Sequence, residues 1–392
     1  MKLILRLLAG IVIGAFLGWV APIPIVRVLI TIKVILGSLI GFLIPFIILF
    51  FIASGISGLG KSSGRLLASA VGLAYVSTIL AGLLAFSVGM FGLPMLQSPE
   101  GTVQEVDPLE PYFRMEIAPP LDVITALATA FLLGIGIAWT GAATLKTLVD
   151  ESKRIVELTI RAVVLPILPF YVGSIFAELA AGQAVWDTAR MFVAVLGMVL
   201  ITQWTWLLIQ YSIAGLVAGR NPLVLLKNML PAYITALGTM SSAATIPVTL
   251  GCVKNNCRRE NVVDFAVPVC AAIHLSGSMI TIVLCSLAVM TMHAGLDLPT
   301  LTQMLPAMLL LGLIMIAAPG VPGGAIVAAL GVLTAVLGFS ESAVGLMIAL
   351  YMAQDGFGTA TNVTGDGAIN QILGRLADRF EDGKSQCSSA SS

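Results

Sequence analysis

Long apolar segments separated by short polar ones recur along the whole chain. A membrane-spanning helix needs about 20 predominantly apolar residues, and shorter or longer ones are tolerated. The segments that meet this length lie at residues 3–20, 26–56, 66–91, 121–145, 155–180, 186–217, 265–292 and 343–376. The pattern therefore predicts an all-α polytopic membrane protein with eight transmembrane helices.

Two further apolar segments, residues 223–250 and 301–337, are interrupted at their centres by helix-breaking residues. The first contains Pro231 and Pro247 around a run of small polar residues, and the second contains AAPGVPGGA at 317–325. Counting either as a full span would place the basic loops on the wrong side of the membrane. Both are predicted to be re-entrant helical hairpins, one entering from each face, which are tolerated only where they line a site. Two kinked spans are the alternative.

The charges orient these segments. Residues 97–116 form an acidic loop, whereas basic residues cluster in loops on the other side, among them Lys61, Arg65, Lys146, Lys153, Arg220, Lys227, Lys254 and Arg259. Basic loops stay in the cytoplasm, so both termini are predicted to be cytoplasmic in a multi-pass inner or plasma membrane protein. Residues 379–392 are predicted to be a disordered cytoplasmic tail.

Composition supports the membrane assignment and excludes other classes. The chain has 392 residues, 58% hydrophobic and 10% charged, with a mean hydropathy of +1.03, whereas soluble domains are about 25% charged. The formal net charge is zero and no basic tract occurs, which argues against nucleic-acid binding. The five cysteines lack the spacing of a zinc site or a disulfide framework. The apolar N-terminus imitates a signal peptide without a convincing cleavage site, and it is interpreted as a retained first helix.

The last helix carries a polar stripe. Asp355, Thr359, Asn362 and Asp366 follow one another at i, i+4, i+7 and i+11, which places them within roughly 60° on one helix face. An ionisable group at membrane depth costs about 2.5–3.5 kcal/mol, so two on one stripe need a partner. The stripe predicts a binding site for a solute and a cation; a buried structural stripe is the alternative.

Three motifs together resemble the dicarboxylate/amino acid:cation symporter family, which includes glutamate transporters and neutral amino acid exchangers. They are TMSSAATIPVTL at 239–250, APGVPGGA at 318–325 and QDGFGTATNVTGD at 354–366. The resemblance implies a homotrimer of elevator-type transporters, often with an uncoupled chloride leak. Residues 1–64 (helices one and two) and 93–184 (the acidic loop with helices four and five) would form the scaffold. Residues 65–92 (helix three) and 185–378 (helices six to eight and both hairpins) would form the transport domain.

The resemblance also implies which residues bind the substrate. Asp355 would bind the α-ammonium group and Asn362 the α-carboxylate. The other implied substrate residues are Ser241 and Ser242 for the carboxylate, Thr359 and Ser278 for the pocket, and Val321 and Pro322 at the extracellular gate.

Departures from the family pattern indicate a different substrate. Acidic-substrate members place an arginine where this chain has Gly358 or, in some, Met240, and no Lys or Arg lies between Arg259 and Arg375. A second substrate carboxylate would be buried unpaired, at a cost of several kcal/mol. The best fit is a small neutral amino acid such as serine, threonine or alanine. An acidic amino acid or C4-dicarboxylate symporter and a proton-coupled variant are the alternatives.

The coupled cation, implied to be sodium, has its expected ligands only in part. Asp366 and Asn362 match side-chain ligands, and backbone carbonyls near Ala272, Met315, Ile316 and Ala318 match a second site. A third site matches Tyr75 and Thr78, but Ser276 replaces its aspartate and His274 the neighbouring amide. Either a neutral imidazole remains and the third ion is lost, or a protonated His274 stands in its place. No other cofactor is implied.

A channel and an intramembrane enzyme are the competing classes. A channel would not accumulate solute against a gradient. Asp355 and Asp366 are about 16 Å apart along an α-helix, too far to share a proton or a water molecule in acid–base catalysis. The chain is therefore expected not to be an enzyme.

Overall fold

The structure, a computed structural model, describes residues 2–58, 65–96, 109–115, 117–182, 185–257, 259–292, 296–316, 318 and 322–389. Within these ranges the chain is all-helical and contains no strand. The helices are α1 (Lys2–Val20), α2 (Ile23–Gly58), α3 (Arg65–Leu96), α4 (Val123–Thr140), α5 (Ala143–Thr159), α6 (Leu165–Ala181), α7 (Val185–Ala218), α8 (Pro222–Asn228), α9 (Leu230–Thr239), α10 (Ser242–Asn256), α11 (Glu260–Ile273), α12 (Ser276–Met292), α13 (Leu301–Met315), α14 (Gly324–Ala335) and α15 (Glu341–Ser389).

Several of these helices are long and apolar enough to cross a bilayer. In the described part of the chain, five stretches qualify by length and composition: Ile23–Ser57, Leu66–Met95, Ala143–Ala181, Thr188–Ala218 and Glu260–Met292. Shorter apolar helices accompany them, including Leu301–Met315 and Gly324–Ala335 of the interrupted segment at 301–337. The architecture is that of a polytopic membrane protein.

The boundary between the predicted fourth and fifth helices is wrong. Helix α4 ends at Thr140 and α5 begins at Ala143, whereas helices were predicted at 121–145 and 155–180. Gly141 lies between them with φ of 70°, a left-handed conformation that ends a helix. The charged segment after it had the composition of a loop, but it forms an amphipathic helix that buries Val149 and Val156 and continues into α6 through a π-helical turn.

Both interrupted segments form pairs of helices that pack against each other. The first pair, α9 and α10, is divided at Met240, which adopts a left-handed conformation with φ of 52°. The second pair, α13 and α14, is divided by a turn in which Gly323 has φ of 74°. The predicted breaks thus occur where small and helix-breaking residues lie.

Two further helices extend beyond their predicted bounds. The segment predicted at 265–292 forms α11 and α12, which begin at Glu260 and are separated by the non-helical residues His274 and Leu275. Helix α15 continues to Ser389, and residues 390–392 of the tail predicted at 379–392 lie outside the described residues.

The helices pack in two groups. In the first group, α2 contacts α4, α5 and α6, and α1 contacts α6. Helix α1 lies so close to α6 that a Cβ on Gly10, Gly14 or Gly18 would meet backbone atoms of Pro169, Gly173 or Ala177. In the second group, α12 contacts α3, α7 and α15, and α15 also contacts α9, α10 and α11. Helix α12 is almost entirely buried, so the second group is built around α12 and α15.

Candidate functional site

The polar stripe of α15 lies directly against the beginning of α12. A Cβ on Gly277 would lie 2.4 Å from the carbonyl oxygen of Gly358, so the two backbones touch there. All four stripe residues are buried, with exposed fractions of 4% for Asp355 and 0% for Asp366. Two buried carboxylates therefore face the protein interior, as the helical spacing predicted.

Asn362 and Ser278 meet at this junction. Asn362 Oδ1 accepts hydrogen bonds from the backbone N–H groups of Gly277 (2.7 Å) and Ser278 (3.2 Å), and its Nδ2 donates to Ser278 Oγ (3.0 Å). The hydroxyl of Tyr351 also donates to Ser278 Oγ, at 3.2 Å. The first N–H groups of α12, which have no partner within their own helix, are thus bonded by the asparagine of the stripe.

Asp355 lies beneath the second helical hairpin. Its Oδ2 accepts a hydrogen bond of 2.8 Å from the backbone N–H of Gly323, in the turn before α14. Pro322 is half-buried beside this turn, whereas Val321 lies outside the described residues. The hydroxyl of Thr359 donates to the carbonyl oxygen of Asp355 at 2.9 Å. The turn of the hairpin therefore covers the carboxylate.

The first helical hairpin reaches the same helix from another direction. Both α9 and α10 contact α15, and a Cβ on Gly356 would lie 2.9 Å from the carbonyl oxygen of Leu237. Ser241 Oγ accepts from the backbone N–H of Ala244 at 3.3 Å and caps α10. Ser242 is buried as the first residue of that helix. The serine pair thus lies at the hairpin tip, on the side that packs against α15.

Asp366 is paired with His274. The Nδ1 atom of His274 lies 2.9 Å from Asp366 Oδ1, and its Nε2 atom lies 2.8 Å from Ser77 Oγ. Gln210 Nε2 donates to Ser77 Oγ at 2.8 Å. The side chains of His274 and Asp366 have exposed fractions of 0% and 1%. Residues of α3, α7 and α15 therefore converge on the break between α11 and α12.

Several buried oxygen atoms of α12 and α15 have no hydrogen-bond partner within the described ranges. They include Asp366 Oδ2 and Ser276 Oγ, together with the hydroxyls of Thr361 and Thr364 and the amide oxygen of Asn370. Unpaired buried oxygens are costly in a protein interior, and oxygen atoms are the ligands that a hard cation prefers. By this chemistry, the unpaired carboxylate oxygen of Asp366 suits a sodium ion.

Other predicted cation residues have different partners. The hydroxyl of Tyr75 donates to the carbonyl of Leu309 at 3.2 Å, and that of Thr78 donates to the carbonyl of Ala74 in its own helix at 2.8 Å. Ala272 is exposed, and the Ala318 N–H donates to the carbonyl oxygen of Met315. Of the uncertain ligands, His274 is the one whose side chain bonds directly to Asp366.

Sequence reasoning missed Ser77, Gln210, Tyr351 and Gln203 as neighbours of the site. Gln203 Nε2 donates to Thr281 Oγ1 at 3.0 Å, beside Gly277. A signal for the two glutamines existed, since they lie seven residues apart on one face of the predominantly apolar helix α7. Polar side chains at membrane depth mark a site by default.

Comparison with known proteins gives the family. A model of the sodium:dicarboxylate symporter family matches residues 3–376 of this chain. The protein belongs to this family. The family match and the apolar helices agree that the chain is a multi-pass membrane protein.

Curated relatives match part of the chain. An excitatory amino acid transporter of Caenorhabditis elegans is 33% identical over 186 residues, which cover 46% of this chain and 36% of that protein. Excitatory amino acid transporter 1 of Rattus norvegicus is 33% identical over 41% of this chain and 30% of its own length. Excitatory amino acid transporter 2 of Mus musculus is 33% identical over 44% of this chain and 30% of its own length. The matched segment thus spans only about a third of each relative's length.

Proposed function

We propose that this member of the sodium:dicarboxylate symporter family is a secondary active symporter of sodium and a small neutral amino acid, such as serine, threonine or alanine. The observation that carries the proposal is Asp355, a buried carboxylate with no Lys or Arg between Arg259 and Arg375 to pair it. A buried anion needs a cation. The α-ammonium group of an amino acid supplies one.

The remainder of the site suits a substrate with a single carboxylate. Asn362 and the N-terminus of α10 at the first hairpin offer neutral amide, hydroxyl and backbone donors, which complement an α-carboxylate without a full positive charge. Gly358 adjoins Ser278 and Thr281, where an arginine would be required to pair a second carboxylate. A neutral side chain of modest size meets no such requirement.

An acidic substrate is the second candidate. The family is described by dicarboxylate symport, and the matched relatives are named for excitatory amino acids. The lack of a basic side chain beside Asp355 and Gly358 argues against this candidate, because a second carboxylate would remain buried and unpaired.

Sodium coupling rests on the unpaired oxygens at Asp366 and Ser276. The hydrogen bonds favour a neutral His274: the Gln210 amide donates to Ser77, which directs the Ser77 hydroxyl to Nε2 and leaves Nδ1–H to donate to Asp366. This arrangement supports loss of the third sodium site over a protonated histidine in its place. No other cofactor is proposed.

We also propose the membrane arrangement that the family resemblance implies: eight transmembrane helices, two re-entrant hairpins, a homotrimer and cytoplasmic termini. Its support is the packing of the helices. The group of α1, α2 and α4–α6 corresponds to a fixed scaffold at 1–64 and 93–184, and the group around α12 and α15 corresponds to a mobile elevator at 65–92 and 185–378.

Uptake by purified protein in proteoliposomes tests the function. An inward sodium gradient should drive accumulation of radiolabelled serine above equilibrium, and replacement of sodium by choline should abolish it. Excess unlabelled serine, threonine or alanine should compete, whereas glutamate, aspartate and succinate should not. Preferential competition by glutamate or succinate would overturn the neutral substrate. Flux that only equilibrates would indicate a channel, and accumulation driven by a proton gradient without sodium would indicate the proton-coupled variant.

A further inference from the structure

The imidazole of His274 is held at both nitrogens by side chains of other helices. Nδ1 bonds to Asp366 Oδ1 on α15 and Nε2 to Ser77 Oγ on α3. Gln210 Nε2 on α7 bonds to the same Ser77 oxygen at 2.8 Å and lies 3.4 Å from Nε2. His274 is 1% exposed. Since both nitrogens already have protein partners, the ring has no lone pair left for a cation.

The backbone of α15 approaches this cluster closely. A Cβ on Gly365 would lie 2.8 Å from both Gln210 Oε1 and His274 Cε1. With a larger residue at this position, the Gln210 amide and the imidazole would have to shift, so the glycine lets α15 bring the adjacent residue, Asp366, onto the imidazole. Ser77, Gln210 and Gly365 therefore all adjoin the imidazole ring of His274 and restrict its orientation.

The two oxygens of the Asp366 carboxylate have different surroundings. Oδ1 is bonded to His274, whereas Oδ2 is buried and has no hydrogen-bond partner in the described part of the chain. A hydrogen bond to one oxygen of a carboxylate fixes the direction in which the other oxygen points. In metal sites, hydrogen bonds of this kind orient the ligands, and their loss commonly lowers metal affinity by about 10- to 100-fold.

We propose that Ser77 and Gln210 are positioning residues that hold His274 against Asp366, so that Asp366 binds the coupled sodium ion through Oδ2. His274 is then an orienting group and not a ligand of the ion. This inference rests on the proposed sodium coupling and adds the residues that set the affinity for sodium.

Sodium binding to the purified full-length protein in detergent tests this role without any transport. The readout is the rise in the thermal unfolding midpoint as sodium replaces choline at constant ionic strength. The sodium concentration that gives half of the maximal rise in the unfolding midpoint should be about tenfold higher in Ser77→Ala than in the wild type. Gln210→Met should shift it in the same direction by a smaller factor, because the Ser77 hydroxyl can still donate to His274. Ser77→Thr keeps the hydroxyl and should restore an affinity near that of the wild type.

Ser286→Ala is the matched control. Ser286 is also buried, on α12. Among the contacts that the structure describes, its hydroxyl bonds only to the sulfur of Met347, at 3.8 Å. Loss of the Ser286 hydroxyl should leave the sodium concentration at half of the maximal midpoint rise unchanged. A second readout is the KM for the amino acid at saturating sodium. It should stay within about twofold in Ser77→Ala, because Ser77 contacts His274 and acts on the ion through Asp366.

The outcomes separate this inference from the proposed function. A sodium response in the wild type that is the same in Ser77→Ala and Gln210→Met would overturn the positioning role and leave sodium coupling intact. If Ser77→Ala does not yield folded protein, Gln210→Met decides alone. A wild type whose midpoint responds equally to sodium and choline would overturn sodium coupling and this inference with it.

Discussion

Single residues carry the chemistry of the proposed transport, and two of them decide the proposed substrate. Asp355 provides a buried negative charge under the turn of the second hairpin. Gly358 leaves neutral surroundings next to Ser278 and Thr281. A buried charge needs a counter-charge. Asp355 therefore favours a substrate with an ammonium group, and the lack of an arginine at Gly358 favours one without a charged side chain.

Asp355→Asn should nearly abolish binding of the amino acid. The substituted amide is almost isosteric, but the ammonium group loses its counter-charge, a loss on the order of 2–5 kcal/mol. Isothermal titration or substrate-dependent thermal shift would measure it. Asp297→Asn, the same change at an exposed carboxylate, should leave affinity unaltered. An unchanged affinity in Asp355→Asn would refute the assignment of the ammonium site.

Gly358→Arg should allow acidic substrates to bind and should weaken the binding of neutral ones. A Cβ at this position would lie 3.5 Å from Ser278 N and Thr281 Oγ1, an ordinary contact, so the backbone accepts a side chain. The guanidinium would pair a substrate carboxylate bidentately. Competition of radiolabelled uptake by glutamate and serine measures the change, with Gly358→Met as an uncharged control of similar length. Strong glutamate transport by the wild type would contradict the argument.

Elements that are broken, not continuous, bring the site together. The break at His274 and Leu275 exposes the first N–H groups of α12 to Asn362, and the turn at Gly323 aims an N–H at Asp355. Helix α15 approaches α12 closely because Gly277 has no Cβ where the carbonyl oxygen of Gly358 lies. Backbone donors at helix ends are free of partners within the helix, and so they are available for a side chain or a ligand.

Gly277→Ala should lower both stability and transport. Its methyl group would have to lie 2.4 Å from the Gly358 carbonyl oxygen, and the backbone there cannot rotate away. Separating two packed helices costs typically 1–3 kcal/mol. Thermal unfolding and sodium-driven uptake measure the effect. Gly197→Ala on α7, where a Cβ meets nothing within 4 Å, should be neutral or slightly stabilising. Equal behaviour of the two variants would rule out the tight α12–α15 contact.

For the molecule as a whole, the helices pack in two groups that also touch each other. Helices α9, α10 and α14 contact α15, but α14 contacts α2 and α4 as well. The group of α1, α2 and α4–α6 is joined by close α1–α6 packing and by the partly buried Lys33–Glu178 ion pair between α2 and α6. The proposed elevator motion would have to exchange the contacts between α14 and that group.

The transporter should couple fewer sodium ions to each substrate than a member with all three sites intact. Ser276 stands where the resemblance expects an aspartate, and His274 is engaged by Asp366 and Ser77. With one carboxylate at the cation site, we expect on the order of one or two ions per amino acid, because each further buried cation needs compensating charge. Accumulation of substrate against calibrated sodium gradients measures the ratio. A ratio of about three would contradict the loss of the site.

The sequence determined the chemistry that lies along one element. Helical periodicity alone put Asp355, Thr359, Asn362 and Asp366 on one face, and small or helix-breaking residues marked both interrupted segments. Hydropathy determined the all-α, membrane-embedded class. These inferences held because they depend on local geometry and on the cost of burying charge, both of which can be read from neighbouring residues.

Only the tertiary structure decided which distant residues meet. Ser77, Gln210 and His274 are separated by more than sixty residues along the chain, yet they form one cluster with Asp366, and Tyr351 contacts Ser278 across two helices. The charged segment at Ala143–Thr159 is helical because it buries one face against its neighbours, a gain that composition does not show. Packing between helices is set by close backbone contacts such as Gly365 with His274, and such contacts have no signature in the sequence of either partner alone.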